Sequence, residues 1–381
     1  MTALVLALLM STHAGPEAPE RPDSTFDAIA REGIGYVYNL QFEEADTAFT
    51  RLISMRPGHP AGHFFLAMVN WWRIMIDMDN TAYDERFVDS LEGVIDLCDD
   101  ILDKHENDVT ALFFKGGALG FIGRLKFHRD DWLGAADAGR KALPIVQDAS
   151  AADPENCDIY LGTGIYNYYA EVIPEQYPVA KPLLLFIPAG DRKKGIRQLH
   201  IAAAKGKYAS VEAAYFLMQL YYQYEKLYAD ALAIARDLHR RFPGNMLFHK
   251  YVGRCYVSMN NLQMADSVFR DILARCAAGR RGYNAVTERE AEYYVGVYEM
   301  SMDHDAAALQ HFFRCDELSR RVDQDGPSGF MVLANLKAGM ACDALGRRED
   351  ALRQYSKVLR MKEYQNSHEL AERYLETPWK R

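Results

Sequence analysis

The chain has no long apolar run. The longest near its start, residues 3–10 (ALVLALLM), is eight residues, too few to span a bilayer. Alternating apolar–polar stretches of useful length are absent, which excludes a substantial sheet. Positive charge is not in excess: 44 Lys and Arg stand against 53 Asp and Glu, a net charge of −9. A general nucleic-acid binder needs a basic face to neutralise phosphates, so only a local basic patch remains open. The six cysteines, Cys98, Cys157, Cys255, Cys276, Cys315 and Cys342, form no C-x-x-C and lie far apart. A disulfide framework belongs to much shorter chains. Cys255, Cys315 and Cys342 fall where a helix buries small residues, so they read as core. What is present is an ordinary folded composition, 49% hydrophobic and 25% charged over 381 residues, which excludes wholesale disorder.

The motifs of common enzymes are also missing. His368-Glu369-Leu370-Ala371-Glu372 begins like a zinc-protease helix but has Glu where the second His is needed. His59 and His63 are four apart, yet Pro60 and Gly62 spoil the helix that would align them as ligands. Asp77 and Asp79 open like a calcium loop, but Val88 stands where the bidentate Glu belongs. The glycines 116, 117, 120 and 123 follow no strand, which removes the dinucleotide reading. No phosphate-cradling lysine loop and no G-x-S-x-G occur. The expectation is a protein without catalytic residues, cofactor or metal, with an enzyme subunit of unrecognised site as one alternative.

Residues 3–10 are followed by Ser11-Thr12-His13-Ala14, with small residues at both positions a signal peptidase reads. Residues 1–14 therefore resemble a secretory signal, with 15–25 as a linker. No Lys or Arg precedes the apolar run, which departs from that pattern. Export is the favoured reading, periplasmic or otherwise extracytoplasmic, and a frayed cytoplasmic N-terminus the alternative. No Cys follows the run, so nothing supports a lipid anchor.

Internal periodicity is countable. Ala45, Ala231, Ala265, Ala308 and Ala351 each open a candidate second helix. The last four are spaced by 34, 43 and 43 residues. Twelve residues upstream of each stand Gly33, Gln219, Gly253, Gly296 and Gly339. Four residues downstream stand Phe49, Ala235, Phe269, Phe312 and Tyr355. A small residue on one helix and an alanine on the next let two antiparallel helices approach, with aromatics filling the gap one turn away. Pro57 and Pro243 follow two of the second helices, where proline ends a helix without losing an internal bond.

This pattern resembles the tetratricopeptide repeat, a 34-residue helix–turn–helix unit. The best copies are 26–59, 212–245, 246–279, 289–322 and 332–363. None has the tryptophan early in the first helix; Ile29, Tyr215, His249, Glu292 and Asn335 stand there. Residues 61–76, 87–104, 109–125, 132–152 and the helix after Pro154 supply degenerate pairs. The resemblance implies an all-α fold, a right-handed α-solenoid of about eight helix–turn–helix pairs. Residues 26–211 form the degenerate N-terminal part, 212–363 the C-terminal array, and 364–381 a capping helix, near 366–377, and tail.

Residues 174–190 (PEQYPVAKPLLLFIPAG) interrupt the rhythm. Pro174, Pro178, Pro182 and Pro188 argue against a regular helix there, yet LLLFI is strongly apolar. It reads as a plug for the chain's own groove; docking of a partner, or membrane contact through 182–187, is the less favoured alternative. The block from Gly164-Ile165-Tyr166-Asn167 through Pro174 to Gly190-Asp191 and Gly195 resembles a pattern in a eukaryotic repeat family associated with the mitochondrial outer membrane.

In solenoids of this kind the first helices line the concave face. Positions three before, one after and four after the small residue share a helical face. They give a candidate groove of Leu161, Ile165, Tyr168, Phe216, Leu220, Lys250, Arg254, Tyr293, Val297, Met300, Leu336 and Met340. It is apolar and aromatic, with positive charge only from Lys250 and Arg254, one turn apart and suited to pair one acidic side chain. The expected function is a scaffold holding a segment of a partner protein, helical or extended, in that groove. A carrier of lipid or another small hydrophobic ligand is the alternative. On this reading, serine at Phe216 and Tyr293 abolishes capture without unfolding the chain.

Overall fold

The computed structural model describes residues 24–176, 188–324 and 326–381. The expectations for the signal-like segment and for LLLFI lie outside the described residues. The described residues contain seventeen α-helices and no strand. They are α1 Ser24–Tyr38, α2 Phe42–Met55, α3 Pro60–Ile76, α4 Asp84–Leu102, α5 Val109–His128, α6 Trp132–Ala152, α7 Ile159–Gln176, α8 Arg192–Lys205 and α9 Ser210–Gln223. Then follow α10 Tyr228–Arg241, α11 Met246–Ser258, α12 Leu262–Ala277, α13 Ala285–Ser301, α14 Asp305–Val322, α15 Gly329–Ala344, α16 Arg348–Val358 and α17 Ser367–Glu376. Each helix packs on the next, and odd-numbered helices also touch along the stack, as α1 does α3 and α13 does α15. Among the described residues this gives eight consecutive helical pairs and a terminal helix. One difference from the sequence reading concerns Pro174: α7 runs through it to Gln176. The proline there gives up the bond its N–H would have made to the Ala170 carbonyl, a cost the helix carries near its described end.

The size rule inside each pair is sharper than the spacing alone implies. The alanines at 45, 231, 265, 308 and 351 are all 0–2% exposed. The aromatic ring of the second helix, however, seats directly on the glycine of the first. A Cβ added to Gly253 would lie 2.7 Å from Phe269 Cζ, and one added to Gly296 would lie 2.8 Å from Phe312 Cε1. Gly33 against Phe49 and Gly339 against Tyr355 are tighter still. All four rings are fully buried. In the fifth pair, α9 with α10, Ala235 stands in the ring's place and Gln219 in the glycine's, and the Gln219 side chain donates to Tyr215 Oη at 3.1 Å. Pair α7–α8 uses two glycines: a Cβ on Gly195 would lie 2.7 Å from both the Gly164 carbonyl oxygen and the Tyr168 nitrogen.

The turn between paired helices repeats one backbone device. Leu40, Asp130, Asn260, Asp303 and Gly346 take φ between 56° and 70°. The following nitrogen then reaches back to the helix, as Gln41 N does to Tyr36 O at 2.9 Å and Asn261 N to Tyr256 O at 2.8 Å. At the far end, Arg348 donates to the Tyr374 and Leu375 carbonyls at the end of α17, at 2.8 and 2.7 Å. Trp379 N donates to Asp343 Oδ2 at 2.9 Å, and Arg381 reaches Asp305 at 2.6 Å. The C-terminal tail is thus docked on α13 to α15.

The stack also closes on itself. The turns at 243–246 and 280–284 meet the first unit. Gly244 N donates to Asn39 Oδ1 and Asn245 Nδ2 to Tyr38 O, both at 2.8 Å. Arg281 binds Glu43 and, at 3.2 Å, the Leu40 carbonyl. Asn284 Nδ2 donates to Ile76 O at 3.1 Å. One large apolar core runs from Phe26 to Val295, a second from Tyr293 to Ala371, and a small third joins Leu112, Ala149 and Ile159.

The ring seat makes a testable demand. Phe269→Ala should cost about 3–5 kcal/mol. Gly253→Gln, which drives a side chain into the ring, should cost about 1–3 kcal/mol or more. The double variant, which copies the fifth pair, should fall short of the summed losses by at least about 1 kcal/mol in urea denaturation followed by helix circular dichroism. Strict additivity would show that the ring does not rest on the glycine.

Candidate functional site: the concave wall

The candidate groove residues lie on the first helices α7, α9, α11, α13 and α15. On the N-terminal side of them the chain's own side chains pack together. Tyr38, at the end of α1, donates its hydroxyl to Glu212 Oε2 at 2.8 Å. Arg124, from α5, donates to Glu212 Oε1 at 2.7 Å. The Arg124 guanidinium lies 4.5 Å from the Phe216 ring centre and 4.8 Å from that of Trp71, a stacked geometry that a desolvated guanidinium favours. Around them Trp72 meets Tyr38 at 5.1 Å and both Tyr215 and Phe248 at 5.8 Å, edge-on or tilted. Burial, and then the Glu212 carboxylate, hold the Tyr38 phenol protonated far above the usual range.

Further along, α11 presents Lys250 and Arg254 and α13 presents Glu290. Arg254 grips Glu290 with two nitrogens, at 2.5 and 2.6 Å, and Lys250 Nζ lies 3.5 Å from the same carboxylate. Lys250 and Glu290 are buried. Burial pushes the Lys250 amine down to about 8 against the pull of Glu290. Burial alone would raise Glu290, but the two cations outweigh it and hold the acid down to about 2.

The sequence-derived groove residues therefore divide. Tyr168, Phe216, Leu220, Lys250, Tyr293, Met300 and Leu336 are buried, while Leu161, Ile165, Arg254, Val297 and Met340 are half-buried. Most of them pack into the apolar cores. Two expectations change for that reason. The acidic partner of Lys250 and Arg254 is the chain's own Glu290. Phe216 and Tyr293, each 7% exposed, are core side chains, so serine there removes packing, including the ring under Arg124. Sequence reasoning missed Tyr38, Arg124, Glu212 and Glu290. Only Glu290 carried a usable signal: it lies three and seven residues before Tyr293 and Val297, on one helical face.

Four of the cysteines, Cys98, Cys255, Cys315 and Cys342, are buried, and all six are unbridged. Among the described residues no three His, Cys, Asp or Glu side chains converge on a metal position, and no helix is long and apolar enough to cross a membrane. Two surface clefts have volumes of about 430 and 460 Å³. One is lined by Glu171, Asp191, Arg192, Lys193, Ile196 and Glu225, the other by Arg236, Asp237, His239, Arg240 and Val252.

Breaking the buried ion cluster should be costly. Glu290→Gln strands two cations and should destabilise by about 3–5 kcal/mol, whereas replacing all three groups with apolar residues of similar volume should restore most of the loss. The acid side has a defined sign. Because the folded state holds Glu290 well below the ordinary carboxylate value, its contribution is present above about pH 4.5 and fades toward pH 2. Urea titrations of wild type and Glu290→Gln across pH 2–7 check both statements; a Glu290→Gln loss below 1 kcal/mol contradicts them.

No protein-family model matches the chain, and no curated protein is similar to it in sequence. Solved structures are similar in part. A MamA protein is 15% identical with a TM-score of 0.39, covering 60% of this chain and 98% of that one. PilW, described as a type IV pilus biogenesis factor, is 15% identical with a TM-score of 0.41, covering 64% and 91%. Yeast Tom70 is 11% identical with a TM-score of 0.37, covering 91% and 87%. The pair geometry itself is the finding: the chain is an all-α repeat protein whose helical pairs resemble tetratricopeptide units.

Proposed function

We propose that the chain is a non-enzymatic scaffold that holds a segment of a partner protein against its C-terminal units. One observation carries this reading. Met259, Met302 and Leu345 occupy the same turn position in three successive pairs, 43 residues apart, and are 44, 49 and 40% exposed. Leu227 adds a fourth exposed apolar side chain in the preceding turn. Large apolar residues repeated in register at an edge favour contact with another surface. The first unit gives the contrast: Leu40, one position on in its turn, is 3% exposed because the chain's own Met246 and Gly282 region covers it. The half-buried Val297 and Met340 extend the surface into what remains of the concave wall. The buried state of the other groove residues shifts the partner from the groove toward this edge.

A lipid carrier finds less support, since the candidate groove residues are largely packed into the apolar cores and leave little open apolar surface for an acyl chain. The exported reading of residues 1–14 belongs to the same proposal and places the partner outside the cytoplasm.

The test is capture from native extract with crosslinking. Met259→Ser, Met302→Ser and Leu345→Ser together should lower partner yield at least about tenfold, as loss of several anchoring side chains does, and leave thermal unfolding unchanged. Undiminished capture by the triple variant, with crosslinks elsewhere, overturns the proposal.

A further inference from the structure

The two turns that close the stack onto its first unit share one support. His239, near the end of α10, and His249, near the start of α11, stack face to face with ring centres 4.2 Å apart and planes 13° from parallel. Between them in sequence lies the turn whose Gly244 and Asn245 bind Asn39 and Tyr38. His249 Nδ1 lies 3.1 Å from the Tyr283 hydroxyl, and Tyr283 belongs to the second turn, between Arg281 and Asn284, which bind the first unit and α3. Arg275, from α12, ties the two turns together by donating to Pro243 O at 2.8 Å and to Tyr283 Oη at 3.5 Å. We propose that the His239–His249 stack is an acid-operated latch: neutral, it holds both turns against the first unit, and charged, it releases them.

The surroundings have little capacity for added positive charge. The groups facing the pair are Arg236, Asp237 and Arg240 on α10, Asp271 and Arg275 on α12, and Tyr283. Asp237 is already paired with Arg240 and Arg241, at 2.5 and 3.5 Å. Asp271 lies 3.5 Å from His249 Nε2 but already receives Arg275 at 2.8 Å. His239 Nδ1 is buried without a hydrogen-bond partner, so no acceptor waits for a proton there. Two cationic rings at stacking distance would also repel each other.

Burial first, then His239 and Arg275, push His249 down to about 3; burial and Arg275 lower His239 as well. Both folded values are depressed, so the stabilising effect is complete above the ordinary imidazole value, about 6.5, and is lost as pH falls. For His249 alone, an open form with ordinary titration gains roughly a hundredfold in population between pH 7.5 and 4.5. The carboxylates of the seam, Glu43 on Arg281 and Asp27 on Lys207, titrate lower, and their neutralisation is the competing cause.

Hydrogen–deuterium exchange of the full chain, corrected for intrinsic rates, separates the two. Peptides covering 36–44, 242–246 and 279–285 should open roughly a hundredfold more at pH 4.5 than at pH 7.5, while α15 and α16 stay unchanged. In His239→Phe/His249→Phe, which keeps the stack and removes the titration, the same change should stay below tenfold. His239→Gln/His249→Gln serves the same purpose should the Phe pair not fold. Equal opening in wild type and variant assigns the effect to the carboxylates and overturns the latch, as does a wild-type seam that opens no more at pH 4.5.

Discussion

A ring needs a place to sit, and in this chain that place is a missing side chain. Phe49, Phe269, Phe312 and Tyr355 each lie on the glycine that stands sixteen residues earlier in the facing helix. Interiors pack close to solid density, so such a fit leaves no freedom to slide one helix along the other. The contact therefore sets the register of each pair. The register in turn sets which face of the first helix points inward, and stacking those faces produces the two large apolar cores. In the fifth pair, where Ala235 stands in the ring's place, the glycine is absent as well and Gln219 stands there.

The faces of the first helices are put to internal use. An open solenoid presents its inner wall to a partner. Here the wall of the first five pairs encloses Arg124, Glu212 and Tyr38 among aromatic rings, and the turns of later units seal it from the side. Charged groups inside a core are tolerated only when paired, and both buried clusters meet that condition: Glu212 with Arg124, Glu290 with Arg254 and Lys250. Among the described residues, exposed apolar side chains recur instead at the turns of the later units, at Met259, Met302 and Leu345.

The helical pairs were legible because their signals are local. Periodicity, a glycine at fixed offset and a turn all fall within one pair, so the α-helical class, the pair count and the helix at 366–377 could be read from spacing. Whether the face given by that spacing is open or covered could not be read, since it depends on contacts between residues some 170–240 positions apart, such as Tyr38 with Glu212 and Glu43 with Arg281. A glutamate in the first turn of α9 reads as a helix-dipole partner, and nothing local shows that it faces a tyrosine from α1. The cysteines were easier, because burial of a small side chain follows from the helical face alone.

The ring seat can be observed without altering the chain. With glycine α-carbons and aromatic rings selectively labelled, nuclear Overhauser spectra should connect the α-protons of Gly33, Gly253, Gly296 and Gly339 to ring protons of Phe49, Phe269, Phe312 and Tyr355 respectively. Four such cross-peaks, one per pair, are the predicted result. Glycines that show cross-peaks only to aliphatic neighbours, with the rings turned elsewhere, would contradict the packing on which the rest of the fold has been built.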